Sequence, residues 1–484
     1  MDFDASLLRA QITGNDTKLK YLRSRFREVS ITTYLLFILL GLASWFAMNG
    51  VLLESPVLSA YLPECNQLKS YVAVIIQFAN IGPVTFLGVK GCMRLAGKRT
   101  NRLDTIAIYC VLCLSLISCI LITLFWGKQM RFFEKNVSLS FFFLTACIAL
   151  ANNTNTVLLV PYFSSFPGFY LSALYVGEAL SGLIPSLWAS IQGMPSSLNC
   201  SYAGDVAGIS FNPGIYFMML VFCSFLSLLG FSLLHILPAP RKEKNKLEVH
   251  RMSNLDLAKA QSRHFTYRPS KKMRKTGWYL FNNSNSNDWH TSSIESCESN
   301  HHHLESLNDQ TPAVDSQNNK LIWLAIFIVL IFLISAFSNS ILFEFLPYYT
   351  MRYSTATYYW TLNLYFVSMA ISSLCSGIFH PKHRSLYPVL TSVYLAIAIW
   401  FIFLSANSHI LPMKNTPFGG LHVVVLSMIA GGIVGYLKVG VTINARSMGG
   451  EFYLLLVGII FQLGALVGSL IAFVTIDWSG ALSL

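Results

Sequence analysis

Charged residues are scarce in this 484-residue chain. Asp, Glu, Lys and Arg together make up 12% of it, whereas 54% of the residues are hydrophobic. The mean hydropathy is +0.53. Soluble globular domains carry about one quarter charged residues, so this composition excludes a typical soluble protein and indicates a membrane protein.

Several other patterns are missing. Segments in which apolar and polar residues alternate are absent, which argues against a membrane β-barrel. No small-residue cleavage site follows the first apolar run, so we interpret that run as a retained span. No zinc-protease, serine-hydrolase or paired-aspartate motif lies within a span, and we therefore expect no enzymatic activity. The tract His301, His302 and His303 has no nearby Cys or second His pair, and neither a metal nor a cofactor is expected.

The chain does contain eleven apolar runs of the length that a bilayer core requires, about 20 residues each. A receptor with seven spans is thereby disfavoured. The runs are 31–54, 70–92, 104–127, 138–161, 168–192, 214–237, 321–345, 357–379, 385–405, 419–443 and 450–476.

A polar, low-complexity stretch divides the runs into six and five, and its composition is typical of disordered sequence. The predicted organisation is a cytoplasmic segment 1–30, a six-helix bundle 31–237, a disordered cytoplasmic linker 238–320 and a five-helix bundle 321–484.

Basic residues set the predicted orientation. Most Lys and Arg residues lie in segments that would face the cytosol if the N-terminus were inside, as the positive-inside rule requires. We therefore predict a cytoplasmic N-terminus and an extracellular C-terminus. The net charge of +12 then reflects topology and gives no reason to expect a nucleic-acid partner.

Two of the ten cysteines, Cys65 and Cys200, fall in predicted outside loops. Oxidising conditions there permit a disulfide between them. Asn199 begins an Asn-Cys-Ser sequence, which is an acceptor site for glycosylation in the same loop.

A short sequence in the first run recurs in the seventh. Residues 49–54 read NGVLLE and residues 339–344 read NSILFE. Parallel repeats, one per half, are typical of major-facilitator transporters, whose substrate site lies between the halves near mid-membrane. Chance matching of apolar sequence is the alternative. If the repeat is genuine, Asn49 and Asn339 face each other across a pseudo-two-fold axis.

Depth along a straight helix, at 1.5 Å per residue, assigns expected positions to the polar residues. Asn49 lies near the outer side, and Glu54 lies at the outer surface, where the helix ends or unwinds because Pro56 lacks an N–H. Gln77 and Asn80 lie on one face of the second span at similar depth, and they form a second polar patch.

The fifth span carries the costliest charge, because Glu178 falls well inside it. This carboxyl group either makes a structural hydrogen bond between helices or has a substrate or proton role. Lys438 lies in the inner third of its span and could extend to the cytosol. The cluster Asn152 to Asn155 cannot face one direction, so part of it serves helix packing.

Four stretches resemble the riboflavin transporters of solute carrier class 52. They are SWFAMNGVLLESPVL (44–58), YVAVIIQFANIGP (71–83), YVGEALSGLIPSLWASIQG (175–193) and GYLKVGVT (435–442). The resemblance covers nearly all of the membrane part but not 1–30 or 238–320. The family usually continues Gly-Val-Leu-Pro after the seventh-span asparagine, whereas this chain continues Ser-Ile-Leu-Phe after Asn339.

The resemblance implies uptake of riboflavin across the plasma membrane by alternating access. It also implies an all-α polytopic membrane protein with eleven helices in a six-plus-five arrangement, similar to major-facilitator and equilibrative nucleoside transporter folds. Amide side chains can donate and accept hydrogen bonds at the vitamin's pyrimidinedione edge and ribityl tail, and aromatic faces can stack on its rings. The predicted site residues are Trp45, Asn49, Gln77, Asn80, Glu178, Phe337 and Asn339, with Phe46 as a further stacking face. A nucleoside or nucleobase carrier of similar architecture remains the alternative.

Overall fold

The computed structural model describes residues 30–97, 101–132, 135–195, 208–249, 313–378, 384–407, 411–414, 416 and 418–478. Within these ranges the chain is almost wholly helical, as expected from the apolar runs. The described helices of the two halves belong to one compact unit, so contacts between the halves can be described.

The N-terminal half contains eight helices among its described residues and one hairpin that the all-α prediction missed. The hairpin pairs Met130 with Val137 in antiparallel register. The elements are α1 (Ile31–Leu42), α2 (Phe46–Tyr61), α3 (Leu68–Phe78), α4 (Ile81–Leu95), α5 (Asn101–Phe125), β1 (Met130–Phe132), β2 (Lys135–Val137), α6 (Leu139–Tyr162), α7 (Tyr170–Gln192) and α8 (Pro213–Ile236).

A short helix, α9, occupies residues 238–249 and precedes the C-terminal half in the chain. Its elements are α10 (Ala313–Ala336), a π-helix (Phe337–Ile341), α11 (Leu342–Thr350), α12 (Thr355–Ile378), α13 (Leu386–Ala406) and α14 (Phe418–Phe473), with a second π-helix (Val474–Trp478).

Nine helical stretches among the described residues are long and apolar enough to cross a membrane. The pair α1 and α2, bent by 45° at a short break, makes ten if it forms one span. Helix α7 coincides with the predicted fifth span and has 23 residues, but it is not among those ten. The count of eleven spans and the six-plus-five division therefore stay predictions.

The break in the first span lies at residues 43–45, not at Pro56. Helix α2 continues through Pro56 to Tyr61. Pro56 cannot donate to the carbonyl of Leu52, but the Ser55 hydroxyl donates to that carbonyl instead, at 2.7 Å. This replacement satisfies the acceptor that a proline inside a helix leaves open. The prediction that the helix ends at Pro56 is wrong.

Glu54 is consequently buried and not at the outer surface. Its side chain is 0% exposed, and Gln192 Nε2 donates to its Oε1 at 2.9 Å. The depth estimate assumed a straight helix that ends here. The additional turns of α2 enclose Glu54 between helices.

The predicted disordered linker begins later than residue 238, because α9 occupies its first residues. Arg241 donates from Nε and Nη2 to the His235 carbonyl at the end of α8, at 3.1 and 2.7 Å. Lys246 donates to Glu243 at 2.8 Å. These contacts order residues that composition alone assigned to the linker. The last residues of the predicted linker, 313–320, belong to α10. Residues 250–312 of it lie outside the described residues, so their disorder stays a prediction.

Helix α14 joins the last two predicted spans without a loop. It has 56 residues and divides into two membrane-crossing stretches, Phe418–Met448 and Gly450–Ile476. Gly450 adopts φ of +64°, a conformation that glycine reaches without a Cβ penalty. Gly450 therefore marks the point at which the two stretches meet.

Close backbone contact joins α1 and α7. A Cβ atom at Gly177 would overlap the Ile38 carbonyl, and one at Gly41 would overlap the Leu174 carbonyl. Small residues permit this approach between membrane helices. The contact fixes α7, which carries Glu178, against the first span.

Cys65 is disulfide-bonded. The predicted partner Cys200 and the predicted glycosylation site Asn199 lie outside the described residues, so both assignments stay predictions. We expect membrane-impermeant thiol reagents to label the intact cell surface weakly before mild reduction and strongly after it. The measurement is surface labelling of Cys65→Ser and Cys200→Ser beside the parent chain, since each single variant should expose its former partner without reduction. Unchanged labelling in both variants would reject the pairing.

Candidate functional site

A cavity of about 570 Å³ lies between the two halves. Four of the seven predicted site residues contribute to its lining, namely Trp45, Asn49, Glu178 and Asn339. Cavities of roughly 300–1,000 Å³ are typical of small-molecule sites. The remaining three predicted residues, Gln77, Asn80 and Phe337, lie outside the lining.

An ion pair crosses the cavity between the halves. Lys438 Nζ on α14 lies 2.7 Å from Glu178 Oε1 on α7, and it also donates to Asn339 Oδ1 at 3.1 Å. The Lys438 side chain is 2% exposed and that of Glu178 17%. Lys438 therefore points into the bundle and does not extend to the cytosol, because a carboxylate and an amide oxygen compensate its charge there.

Asn339 lies in the π-helix Phe337–Ile341 that separates α10 from α11. A π-helical turn contains more residues than an α-helical turn, and such turns are frequent at functional sites. Asn339 Nδ2 donates back to Ser335 Oγ at 3.2 Å, so its oxygen is directed to Lys438. Phe337 instead packs against the hydrophobic core.

Within the described part of the chain, the Asn49 side chain makes a single, weak hydrogen bond. Its Nδ2 donates to Ser181 Oγ at 3.4 Å, near the limit for a hydrogen bond. Ser181 Oγ itself donates to the Glu178 carbonyl at 2.6 Å. The amide of Asn49 thus retains hydrogen-bonding capacity toward a ligand.

Aromatic side chains line the cavity, but mostly not those predicted. Trp45 contributes to the lining, whereas Phe46 is buried in the core behind it. Phe343, Tyr365 and Phe366 supply the opposite wall, and the Phe343 and Phe366 ring centroids are 5.6 Å apart. Phe343 occupies the position where the resembling family has proline. This difference is the feature of the sequence that singles out Phe343.

Asn80 and Gln77 form a structural network instead of a second cavity wall. Asn80 Oδ1 accepts from Asn153 Nδ2 at 3.2 Å and from Gln462 Nε2 at 2.5 Å. Asn80 Nδ2 donates to Gln77 Oε1 at 3.3 Å. Asn153 and its cluster neighbour Asn155 are buried, and Asn155 donates to the Ala43 carbonyl. These amides hold helices of both halves together.

A second ion pair lies at the predicted outer end of the cavity. Lys69 Nζ on α3 is 3.1 Å from Glu344 Oε2 on α11, with side-chain exposures of 36% and 21%. Both residues line the cavity. The two glutamates of the proposed repeat therefore differ, since Glu344 faces the cavity and Glu54 is buried away from it.

Contacts between the halves also occur at the opposite end of the bundle. Arg446 Nη2 donates to the Ser164 carbonyl at 3.1 Å and also to the Phe166 carbonyl. Arg94 Nη2 lies 2.7 Å from Glu451 Oε1. All of these residues belong to segments that the sequence predicts at the cytoplasmic side. Among the described residues, no three His, Cys, Asp or Glu side chains group in a way that could hold a metal ion.

A protein-family model described as "Solute carrier family 52, riboflavin transporter" matches residues 29–483. The chain is 38% identical over 176 residues to riboflavin transporter member 3-A of Danio rerio. This aligned stretch covers 36% of this chain and 38% of the relative. It is 26% identical over 493 residues to member 3 of Ailuropoda melanoleuca, covering 92% and 96%. It is 25% identical over 496 residues to riboflavin transporter rft-2 of Caenorhabditis elegans, covering 92% and 95%.

Two solved structures also align with most of the chain. The human organic anion transporter MFSD10 covers 93% of this chain and 95% of its own, at 12% identity and a TM-score of 0.44. A bacterial homologue of ferroportin in an outward-facing state covers 92% of both chains, at 13% identity and a TM-score of 0.46.

Proposed function

The chain belongs to the riboflavin transporter family of solute carriers, and we propose on this basis that it mediates cellular uptake of riboflavin across the plasma membrane. The cavity between the halves is the observation that carries this proposal, because it combines amide, aromatic and apolar walls within about 570 Å³. The family consists of transporters, and no catalytic role is proposed.

Riboflavin is uncharged at neutral pH, and the cavity suits an uncharged ligand. Lys438 is compensated by Glu178, and Lys69 is compensated by Glu344. Neither ammonium group is available to bind a phosphate without separating an ion pair. We therefore propose that flavin nucleotides are poor substrates of this transporter.

Asn49 and Asn339 are the groups that we assign to hydrogen bonding with the vitamin. They approach the cavity from the N-terminal and C-terminal halves respectively. Amides can both donate to and accept from the pyrimidinedione edge and the ribityl hydroxyls. Trp45 and Phe343 supply faces on which the three-ring system can stack.

Alternating access is the proposed mechanism. The cavity lining reaches Ser59, Lys69 and Tyr348 at the predicted outer ends of the helices. Arg446 and Glu451 connect the halves at the other end. This arrangement supports an outward-facing state, with the N-terminus in the cytosol and the C-terminus outside.

The test is uptake of labelled riboflavin by cells that express the chain, relative to cells that do not. We expect saturable uptake that unlabelled riboflavin competes and that uridine, adenosine and flavin mononucleotide compete at least about tenfold less well, since each lacks a feature of the ligand or adds a phosphate. Equal competition by the nucleosides would favour the nucleoside carrier. Absent uptake at normal surface levels would refute the proposal.

A further inference from the structure

Glu54 is a buried carboxyl group that the proposed substrate site does not use. It lies on α2 between Leu53 and Ser55, both of which line the cavity, but its own side chain is absent from the lining. It is enclosed on the other face of the helix, where Gln192 of α7 meets it. Any role of Glu54 therefore does not involve direct contact between its side chain and a substrate in the cavity.

The hydrogen bonds around this pair leave two oxygen atoms without a donor. Gln192 Nε2 donates to Glu54 Oε1 at 2.9 Å and to the Phe211 carbonyl at 3.1 Å, so both of its N–H groups are used. Glu54 Oε2 and Gln192 Oε1 are both buried and have no hydrogen-bond partner among the residues that the structure describes. A buried acceptor without a donor is unfavourable and rare in native proteins.

No cation compensates Glu54 within the described part of the chain. Helices α8 and α12 contribute the phenols of Tyr216 and Tyr359, which interact electrostatically with it but are neutral. Helices α3 and α6 also pack against α2, and Lys69 on α3 is paired with Glu344.

Other carboxyl groups with little exposure are paired with lysines. Glu178 is paired with Lys438 at 2.7 Å, Asp104 with Lys90 at 2.8 Å and Glu243 with Lys246 at 2.8 Å. An isolated ionised carboxylate is so costly to bury that such a group binds a proton instead.

We propose that Glu54 is a proton-binding site and that its Oε2 carries the proton. The carboxyl O–H then donates to Gln192 Oε1 while Gln192 Nε2 donates to Glu54 Oε1. A single proton thereby gives both unpartnered oxygens a hydrogen-bonding role and closes a cyclic acid–amide pair. The chemical step is a protonation: the Glu54 carboxylate binds one proton and becomes a neutral carboxylic acid.

The pair joins two of the helices that line the cavity from the N-terminal half. Helix α2 carries Asn49 and begins directly after Trp45, and helix α7 carries Glu178. Loss of the proton places a carboxylate oxygen against an amide oxygen, and the two repel each other. We therefore expect riboflavin uptake to decline as the pH rises enough to remove this proton. This consequence for transport rests on the proposed function, whereas the proton site itself does not.

Infrared spectroscopy of the purified full-length protein tests the site directly. We expect a protonated-carboxyl C=O band at neutral pH that Glu54→Gln removes. Glu64→Gln is the matched control, because Glu64 is a half-exposed carboxylate that accepts from Ser138 N and Oγ at 2.7 and 2.9 Å, and this variant should keep the band. Gln192→Leu should shift the band by removing its hydrogen bonds. If the parent protein shows no such band, or if neither Glu54→Gln nor Gln192→Leu changes it, the proton site is refuted.

Uptake at two pH values tests the consequence. For the parent chain we expect uptake to be at least about threefold lower at about pH 9 than at about pH 6, whereas Glu54→Gln, an amide that mimics the neutral acid, should show a ratio near one. An equal alkaline loss in both would overturn the link to transport. If the parent chain transports no riboflavin, the proposed function fails while the infrared result still decides the proton site.

Discussion

Lys438→Met should reduce riboflavin uptake by about a hundredfold at matched surface expression. The substitution removes the ammonium group that lies 2.7 Å from Glu178 and 3.1 Å from Asn339. Removing one partner of a buried ion pair costs about 3–5 kcal/mol, and a hundredfold loss corresponds to about 3 kcal/mol. We take the lower end of this range because Glu178 keeps some exposure, 17%. The measurement is initial-rate uptake with quantified surface protein.

Two variants control this experiment. Lys69→Met breaks an ion pair of the same chemistry in the same cavity, but this pair is more exposed, and such pairs contribute about 0–1 kcal/mol. Its loss should therefore stay within about fivefold. The double variant Lys438→Met/Glu178→Gln removes both charges and should recover part of the uptake. Normal uptake by Lys438→Met would contradict a role of this ion pair in transport. So would a double variant that is as defective as Lys438→Met, because the defect would then not come from an uncompensated Glu178.

Asn49→Ala should raise the KM for riboflavin between about fivefold and about 150-fold. The side chain lines the cavity, and its one hydrogen bond to a described residue is long, 3.4 Å to Ser181. Its loss removes a partner from a partly desolvated ligand, which costs about 1–3 kcal/mol. The measurement is concentration-dependent uptake, which separates KM from the maximal rate.

Asn80→Ala is the matched comparison, since the sequence predicted the same role for both amides. Asn80 bonds to Asn153 and Gln462 and lies outside the cavity lining. We expect a KM within about twofold of the parent value but a lower surface level and melting temperature, because buried amides lose their partners. A large rise in KM for Asn80→Ala with normal KM for Asn49→Ala would reverse the assignment.

The sequence predicts the position of a residue along its helix better than the side of the helix on which its side chain lies. Apolar runs indicated nearly every long helix, because helix length and hydropathy are properties of contiguous residues. Direction around the axis depends on packing. Asn80 was placed at a plausible depth for the site, yet it bonds to helices on another side. The predicted position of Glu54 at the outer surface depends on a straight helix that stops at Pro56. The 45° break before α2 and the Ser55 hydrogen bond, which lets α2 continue, are features that helix length and hydropathy do not reveal.

The ion pair shows a second limit. Glu178 and Lys438 were each identified as unusual charges, but 260 residues separate them in the chain. Only the folded arrangement brings the two helices together, so the sequence suggested a cytosolic direction for Lys438 where the structure shows an inward one. Phe343 and Tyr365 were missed for the same reason, since an aromatic residue in an apolar run has the same composition whether it lines a cavity or packs in the core.

The continuous helix α14 has a consequence for leakage through the transporter. One of its arms carries Lys438, which contacts the N-terminal half at mid-cavity. The other begins beside Gly450 with Glu451, which contacts Arg94 at the predicted inner end. The two arms meet at Gly450 without an intervening loop, so we expect a tilt of one arm to move the other. In the alternating access that we propose, we expect release of the inner end and rearrangement of the central charges to be parts of one movement. This coupling would disfavour an intermediate that is open at both ends and would let small solutes pass.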